Sequence, residues 1–293
     1  MPAGPLAAAL AYCLWGLFPL YIKLVADVPA MEIVLHRSVW SLVFVFGMLA
    51  VLGRLAWLPA ALRDRKVVGL FGLNALLLAG NWSLYVWAVN HDRVLDASLG
   101  YFINPLVNVL LGFVVLHERP RPAQWAAVAV AACGVLWLAL GAGHVPWVSL
   151  VLACTFGLYG LLRKLATLGA AEGLALETLL LGPVAVGGLL WLGVSGQGHF
   201  AQGNFSRDGL LLLAGPFTAI PLLLFAYGAR RVTLATLGLL QYLGPSIQFV
   251  LGVFLYHEPF TLQRGLGFGL IWLALVLYSA ESWRAMRQRR AAA

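Results

Sequence analysis

Cys13-Leu14-Trp15-Gly16-Leu17-Phe18-Pro19-Leu20-Tyr21-Ile22-Lys23-Leu24 has a second copy in this chain: Cys154-Thr155-Phe156-Gly157-Leu158-Tyr159-Gly160-Leu161-Leu162-Arg163-Lys164-Leu165. Cys, Gly, Leu, Leu, Lys and Leu coincide at an offset of 141. Further along, Asn104-Pro105 and Leu111-Gly112 followed by His117-Glu118 meet Gly244-Pro245 and Leu251-Gly252 followed by His257-Glu258, at an offset of 140. Apolar bias alone does not place such distant matches at nearly one offset, so the chain reads as a duplicated helical unit. Both copies are written in membrane-spanning sequence, and duplication of that kind points to a transporter.

Composition sets the class. With 62% hydrophobic residues, 10% charged residues and a mean hydropathy of +0.90 over 293 residues, the chain has too little polar surface to cover a soluble globule. Ten apolar runs lie near 5-25, 33-52, 67-89, 97-116, 123-142, 146-163, 174-194, 209-229, 234-256 and 263-282. Each is long enough to cross roughly 30 Å of hydrocarbon at about 1.5 Å per helical residue. Lipid-exposed backbone must bond to itself, and the runs are too long and uniformly apolar for barrel strands, so the expectation is an all-α integral membrane protein. The first run has no basic leader and no small-residue cleavage site, and is read as a retained helix. The expected organisation is an N-terminal five-helix unit over 1-142, a C-terminal one over 143-283 and a basic tail over 284-293.

The 19 Lys and Arg give the orientation. With the N-terminus inside, fourteen fall in inner loops and the tail: Arg54, Arg63, Arg65, Lys66, Arg119, Arg121, Arg163, Lys164, Arg230, Arg231, Arg284, Arg287, Arg289 and Arg290. Four fall outside, Lys23, Arg93, Arg207 and Arg264, and Arg37 lies within a span. The positive-inside rule then puts both termini in the cytoplasm. The net charge of +8 is read as basic loops facing anionic lipid, not as a nucleic-acid surface. Five crossings per unit is an odd number, so the two repeats are expected to be inverted, with alternating access around a site at the midplane.

Polar side chains inside spans are the candidates for that site, because each is costly in lipid and faces the bundle interior. Tyr101, Asn104 and Asn108 share one face of the fourth span, and Gln241, Gly244 and Gln248 take the corresponding positions in the ninth. Pro105 and Pro245 beside them free local carbonyls. Asn74, Asn81 and Tyr85 share a face of the third span, whose counterpart carries Pro216 and Pro221 and is expected to kink. Trp15, matched by Phe156, is a candidate for stacking on a flat ligand. These residues are expected to line a substrate cavity, against the alternative that the amides bond neighbouring helices.

Glu32, His36 and Arg37 form an ionisable cluster at the start of a span, a candidate for coupling or substrate charge. An Arg there costs about 2.5 to 3.5 kcal/mol on insertion scales, so it should be paired, snorkelling or facing water. Glu118 and Glu258 close Gly-rich helices and are expected to be structural, anchoring loops or capping the next helix. No metal or cofactor is expected. The DxxxD spacing of Asp92 and Asp96 lacks a second acidic cluster for Mg²⁺, and the two His-Glu pairs lack the second His of a zinc helix. Gly265 and Gly269 make a GxxxG pattern that suits close helix packing and allows a homodimer. Cys13, Cys133 and Cys154 lie in spans and read as reduced packing residues.

The segments "AYCLWGLFPLYIK", "HRSVWS" at 36-41, "NWSLYVWAVN" at 81-90, "ASLGYFINPLVNVLLG" at 97-112 and "HE" at 117-118 resemble the RarD branch of the EamA-type transporters, in the drug/metabolite transporter superfamily. The resemblance covers nearly the whole chain. It implies a ten-helix bundle of two inverted five-helix repeats in the bacterial inner membrane, moving small metabolites or drug-like compounds, usually outward. The expectation is therefore a secondary active transporter of a small organic solute. The alternatives are an uncoupled channel or facilitator and, more remotely, a multispan membrane enzyme.

Overall fold

The computed structural model describes residues 3–91, 94–140, 146–256 and 262–291. Every regular element among them is a helix: α1 (Ala3–Gly16), α2 (Phe18–Leu24), α3 (Ala30–Val51), α4 (Leu58–Arg63), α5 (Arg65–Asn90), α6 (Val94–Val114), α7 (Pro122–Leu140), α8 (Trp147–Leu165), α9 (Ala170–Val194), α10 (Phe205–Ala229), α11 (Leu234–Gln241), α12 (Leu243–Val250), a π-helical turn (Leu251–Leu255) and α13 (Leu262–Ala291). Among the described residues, eight helical stretches are long and apolar enough to cross a membrane. The expected spans near 97-116 and 263-282 fall on α6 and α13, whose described apolar stretches, Leu99–Val114 and Gly265–Glu281, are shorter.

Two crossings are broken where proline removes a backbone donor. In the first, Pro19 cannot supply the N–H that would meet the Trp15 carbonyl, and the chain re-enters the helix as α2 after Leu17. The side chain of Gln248, on α12, donates to that freed carbonyl at 3.3 Å. The other break falls at Tyr242, between α11 and α12, where Pro245 leaves the Gln241 carbonyl without its usual donor. Pro216 and Pro221 both lie inside α10, which continues through them.

Contacts at both ends show that the crossings run antiparallel. At one end, here the near end, the start of α1 meets Arg231, Glu118 reaches the start of α11, and Arg54 reaches the start of α9. At the far end Lys23 sits over the Tyr256 ring at 3.3 Å, Tyr21 donates to the Leu210 carbonyl at 3.1 Å, and Arg207 pairs with Asp27 at 3.2 Å. The principal packed pairs are α6 with α8, α6 with α11, α1 with α11 and α12, α1 with α10, α5 with α8, α3 with α10, α5 with α9, α3 with α9 and α7 with α13.

Glycine allows the closest of these approaches. A Cβ on Gly157 of α8 would lie 2.8 Å from Val107 of α6, and one on Gly238 of α11 would lie 2.6 Å from the Pro105 carbonyl oxygen. The helix α6 is thereby clamped between α8 and α11. An aromatic core of Tyr12, Trp15, Phe156, Tyr159 and Phe225 fills the seam between α1, α8 and α10.

One loop assignment is corrected. Arg163 does not lie in a basic loop; it is 1% exposed inside the bundle, because Glu177 supplies a carboxylate there.

Candidate functional site

The amide stripes form interhelical bonds. Asn81 donates to the Leu152 carbonyl and to Thr155 Oγ1, both at 2.8 Å, and Asn104 donates to the Ala153 carbonyl at 2.7 Å. Asn108 donates to Asn104 Oδ1 at 3.0 Å and to Gln241 Oε1 at 3.2 Å. All four amides are buried, in a continuous polar seam from α5 and α6 across α8 to α11. Asn74 leaves this group despite sharing a face with Asn81, because its amide donates to Glu177 on α9 at 3.2 Å. Trp15 belongs to the aromatic core, with its ring 5.9 Å from that of Phe156.

The expected Glu32, His36 and Arg37 cluster divides in two. At the far end, Glu32 accepts from the backbone N–H of His199 at 2.7 Å and lies 2.8 Å from His199 Nδ1. His36 stands one turn along α3, with Nε2 3.8 Å from the same carboxylate. Trp40 Nε1 donates to His36 Nδ1 at 3.0 Å, which puts the imidazole proton of a neutral ring on Nε2, toward Glu32. His199 comes from the loop between α9 and α10, too far along the chain for spacing to bring it to Glu32.

Arg37 points the other way, into the bundle. Its Nε donates to Thr218 Oγ1 of α10 at 2.8 Å. The guanidinium carbon lies 3.9 Å from the centre of the Trp82 ring and 4.7 Å from that of Phe18. Tyr21, Tyr85 and Tyr101 are close enough to act on its charge. The Tyr85 and Tyr101 rings are 6.0 Å apart. Tyr85 and Tyr101 are only partly covered, with 37% and 39% of their surfaces accessible.

A second interior charge cluster escaped the reading of the sequence. Arg163 Nη1 lies 3.3 Å from Glu177 Oε1, Tyr159 donates to Glu177 Oε2 at 3.3 Å, and Asn74 donates to the same carboxylate at 3.2 Å. The signal was present: at an offset of 140, Glu32 falls on Glu172 and Arg37 on Glu177. Glu172, at the start of α9, pairs with Arg54 at 2.5 Å at the near end. Beside that pair a cleft of about 790 Å³ opens between α3, α9 and α10, with Tyr227, Arg230 and Arg231 on its walls.

Glu118 is a helix cap, and the helix it caps is not the next in the chain. Its carboxylate accepts from the N–H groups of Leu234 and Ala235, at 2.9 and 3.3 Å, at the start of α11. The chain bends back there, with His117 at φ 53° and the Glu118 N–H donating to the Gly112 carbonyl at 2.9 Å. Lys164 stands 3.6 Å from the same carboxylate. Glu258, His257, Asp92 and Arg93 lie outside the described residues. No group of three or more metal-ligating side chains occurs among the described residues.

The model of the EamA-like transporter family matches residues 2–140. The chain is 47% identical to Protein RarD of Streptomyces exfoliatus over 281 residues, covering 96% of this chain and 89% of that protein. It is 45% identical to the uncharacterized transporter YojE of Bacillus subtilis, covering 96% of this chain and 95% of the relative. A crystal structure with 18% identity superposes with a TM-score of 0.73 over 97% of this chain and 98% of its own, a likeness of fold.

Proposed function

The chain belongs to the EamA-like transporter family of the drug/metabolite transporter superfamily, and from that premise we propose a secondary active transporter that moves a small organic solute by alternating access, as an exporter. Its ten crossings form two inverted five-helix repeats, 1-142 and 143-283, in the bacterial inner membrane, with the near end and both termini in the cytoplasm. The packing supports the repeat. Exchanging each crossing of the first half for its counterpart in the second turns α6 with α8 into α11 and α12 with α1, α3 with α10 into α9 with α5, and α5 with α8 into α10 with α1, all observed pairs. The near end also carries Arg54, Arg121, Lys164, Arg230 and Arg231, which supports its cytoplasmic orientation.

The observation that carries alternating access is a pair of latches on the packed helices α3 and α9. Glu32 at the start of α3 holds His199 in the loop after α9, at the far end. Glu172 at the start of α9 holds Arg54 in the loop after α3, at the near end. Each carboxylate opens its own helix, and the two are 140 residues apart. Opening one side breaks one latch and leaves the other, which is what a carrier needs and a channel does not.

Purified protein in vesicles tests this. A coupled carrier accumulates solute against its gradient and loses the accumulation on adding protonophore. Equilibration without accumulation identifies a channel or facilitator, and chemical change of the solute identifies an enzyme.

A further inference from the structure

Arg37 and Glu177 are each the eighth residue of their helices, α3 and α9, and lie 140 residues apart. Each contacts the opposite half: Arg37 bonds Thr218 of α10, and Glu177 accepts from Asn74 of α5. Only Glu177 has its charge balanced. Arg163, in the last turn of α8, supplies the counterion, and both side chains are sealed at 1–2% exposure. The corresponding position in the first crossing is Ile22, which has no charge to offer Arg37. Among the described residues no carboxylate comes within ion-pair distance of that guanidinium. Its one hydrogen bond uses Nε, and Trp82 and Phe18 cover the ring-facing surfaces, so the two terminal amino groups of the fork have no described protein acceptor.

What faces this open fork is chemically specific. Tyr85 and Tyr101, near enough to act on its charge, are partly accessible, and neither hydroxyl has a hydrogen-bond partner among the described residues. The Trp82 indole and the Phe18 ring lie against the guanidinium itself. A guanidinium fork matches two oxygens of one planar anion, and stacked aromatic rings hold it in place without neutralising it. Inorganic anions would leave the ring faces without contact, and amines would meet a like charge. We propose that Arg37, with Tyr85, Tyr101 and Trp82, binds the carboxylate of an organic acid whose body is apolar or aromatic. That this site is the transported-substrate site rests on the transporter reading above; that it binds carboxylate does not. Being the eighth residue of α3, Arg37 lies about 10 Å from the helix start at about 1.5 Å per residue.

The test uses the full chain, purified in detergent, with acetate, benzoate, phenylacetate and indole-3-acetate, each beside its primary amide, and with chloride and phosphate as inorganic controls. A ligand that binds the native state raises the melting temperature in proportion to the logarithm of its concentration. The aromatic acids are expected to stabilise at least tenfold more effectively than their amides, and Arg37→Gln to abolish that preference, with Arg37→Lys intermediate. Equal action of acid and amide, stabilisation only by chloride or phosphate, stabilisation only by added phosphatidylglycerol, or no response to any acid would each overturn the proposal. The acid and amide comparison stands on the native chain, so failure of a variant to fold does not remove the test. In vesicles, flux of amides or amines that persists in Arg37→Gln without carboxylate flux in the native protein rejects the acid site and leaves the transporter standing. Carboxylate binding without any flux does the reverse.

Discussion

Arg163 of α8 and Glu177 of α9 face each other at 3.3 Å with both side chains almost wholly removed from solvent. Desolvating two such charges roughly cancels their attraction, so the pair adds little stability by itself, but removing one partner strands the other. Arg163→Met is therefore expected to destabilise by about 3–5 kcal/mol. Arg163→Met with Glu177→Leu is expected to recover most of that loss. Thermal melts of the purified variants check it, and a double variant no more stable than the single one would assign the pair a positive contribution of its own.

Glu118 presents a second, cheaper dependence. Its carboxylate takes two of the first N–H groups of α11, where the positive end of the helix dipole adds to the hydrogen bonds. Glu118→Ala should cost about 0.5–2 kcal/mol, as loss of other helix caps does. Gly112→Ala should reproduce much of that effect with Glu118 intact, because a Cβ at position 112 would lie 2.6 Å from Glu118 Oε2 and 3.0 Å from the Leu234 side chain. Melting temperatures of the two variants and their combination check this. Losses that simply add would mean that Gly112 acts elsewhere.

The helices were legible because lipid leaves so few choices. The run read at 33-52 became Ala30–Val51, and that at 209-229 became Phe205–Ala229. The contact of Glu32 with His36 was legible from one turn of helix. Arg37 was not, since five residues carry it about 140° around the axis from Glu32, into a different neighbourhood. Nor could spacing show that the His199 loop folds back over Glu32 or that Glu118 caps α11. The Arg163 and Glu177 pair had a signal in the 140-residue offset, but an arginine aligned with a glutamate does not look like a repeat. The amides show the limit most directly: same-face spacing puts Asn74, Asn81 and Asn104 inside, while the choice between cavity and seam depends on which backbone packs opposite.

Topology can be read by labelling. Asp64 caps α5 at the near end, on the side where the basic residues gather, and its loop is exposed. With Cys13, Cys133 and Cys154 replaced, a cysteine at position 64 should resist a membrane-impermeant maleimide in intact cells and react after permeabilisation. Efficient labelling in intact cells would put the near end outside and reverse the orientation.

The two latches make opposite predictions for one experiment. Cysteine pairs at 32 with 199 and at 54 with 172, each in the cysteine-free background, are to be joined by a short flexible cross-linker. Either cross-link should stop net transport in vesicles, because each holds one end closed, and reductive cleavage should restore it. Accessibility of a reporter cysteine at Tyr101 should respond oppositely to the two links. Transport that continues with either end joined would show that these contacts do not open during the cycle.

Coupling is expected at the far latch. Glu32 is 2% exposed and receives the His199 N–H and imidazole, while His36 Nε2 stands 3.8 Å from the same carboxylate without hydrogen-bonding it. A proton added to Glu32 removes an acceptor that His199 requires, so binding of that proton and release of the loop are linked events. Glu32→Gln fixes the protonated shape without the charge. It should uncouple solute movement from an imposed pH gradient while solute-for-solute exchange survives, because exchange needs only the loaded carrier to change sides. His199→Gln should weaken the latch and keep the gradient response, since Glu32 itself remains. Vesicles with a pH gradient and an acid-inside or acid-outside pulse measure both. Gradient-driven uptake that is unchanged in Glu32→Gln and in His36→Gln would remove the proton from this cluster and leave Glu32 as a mechanical latch alone.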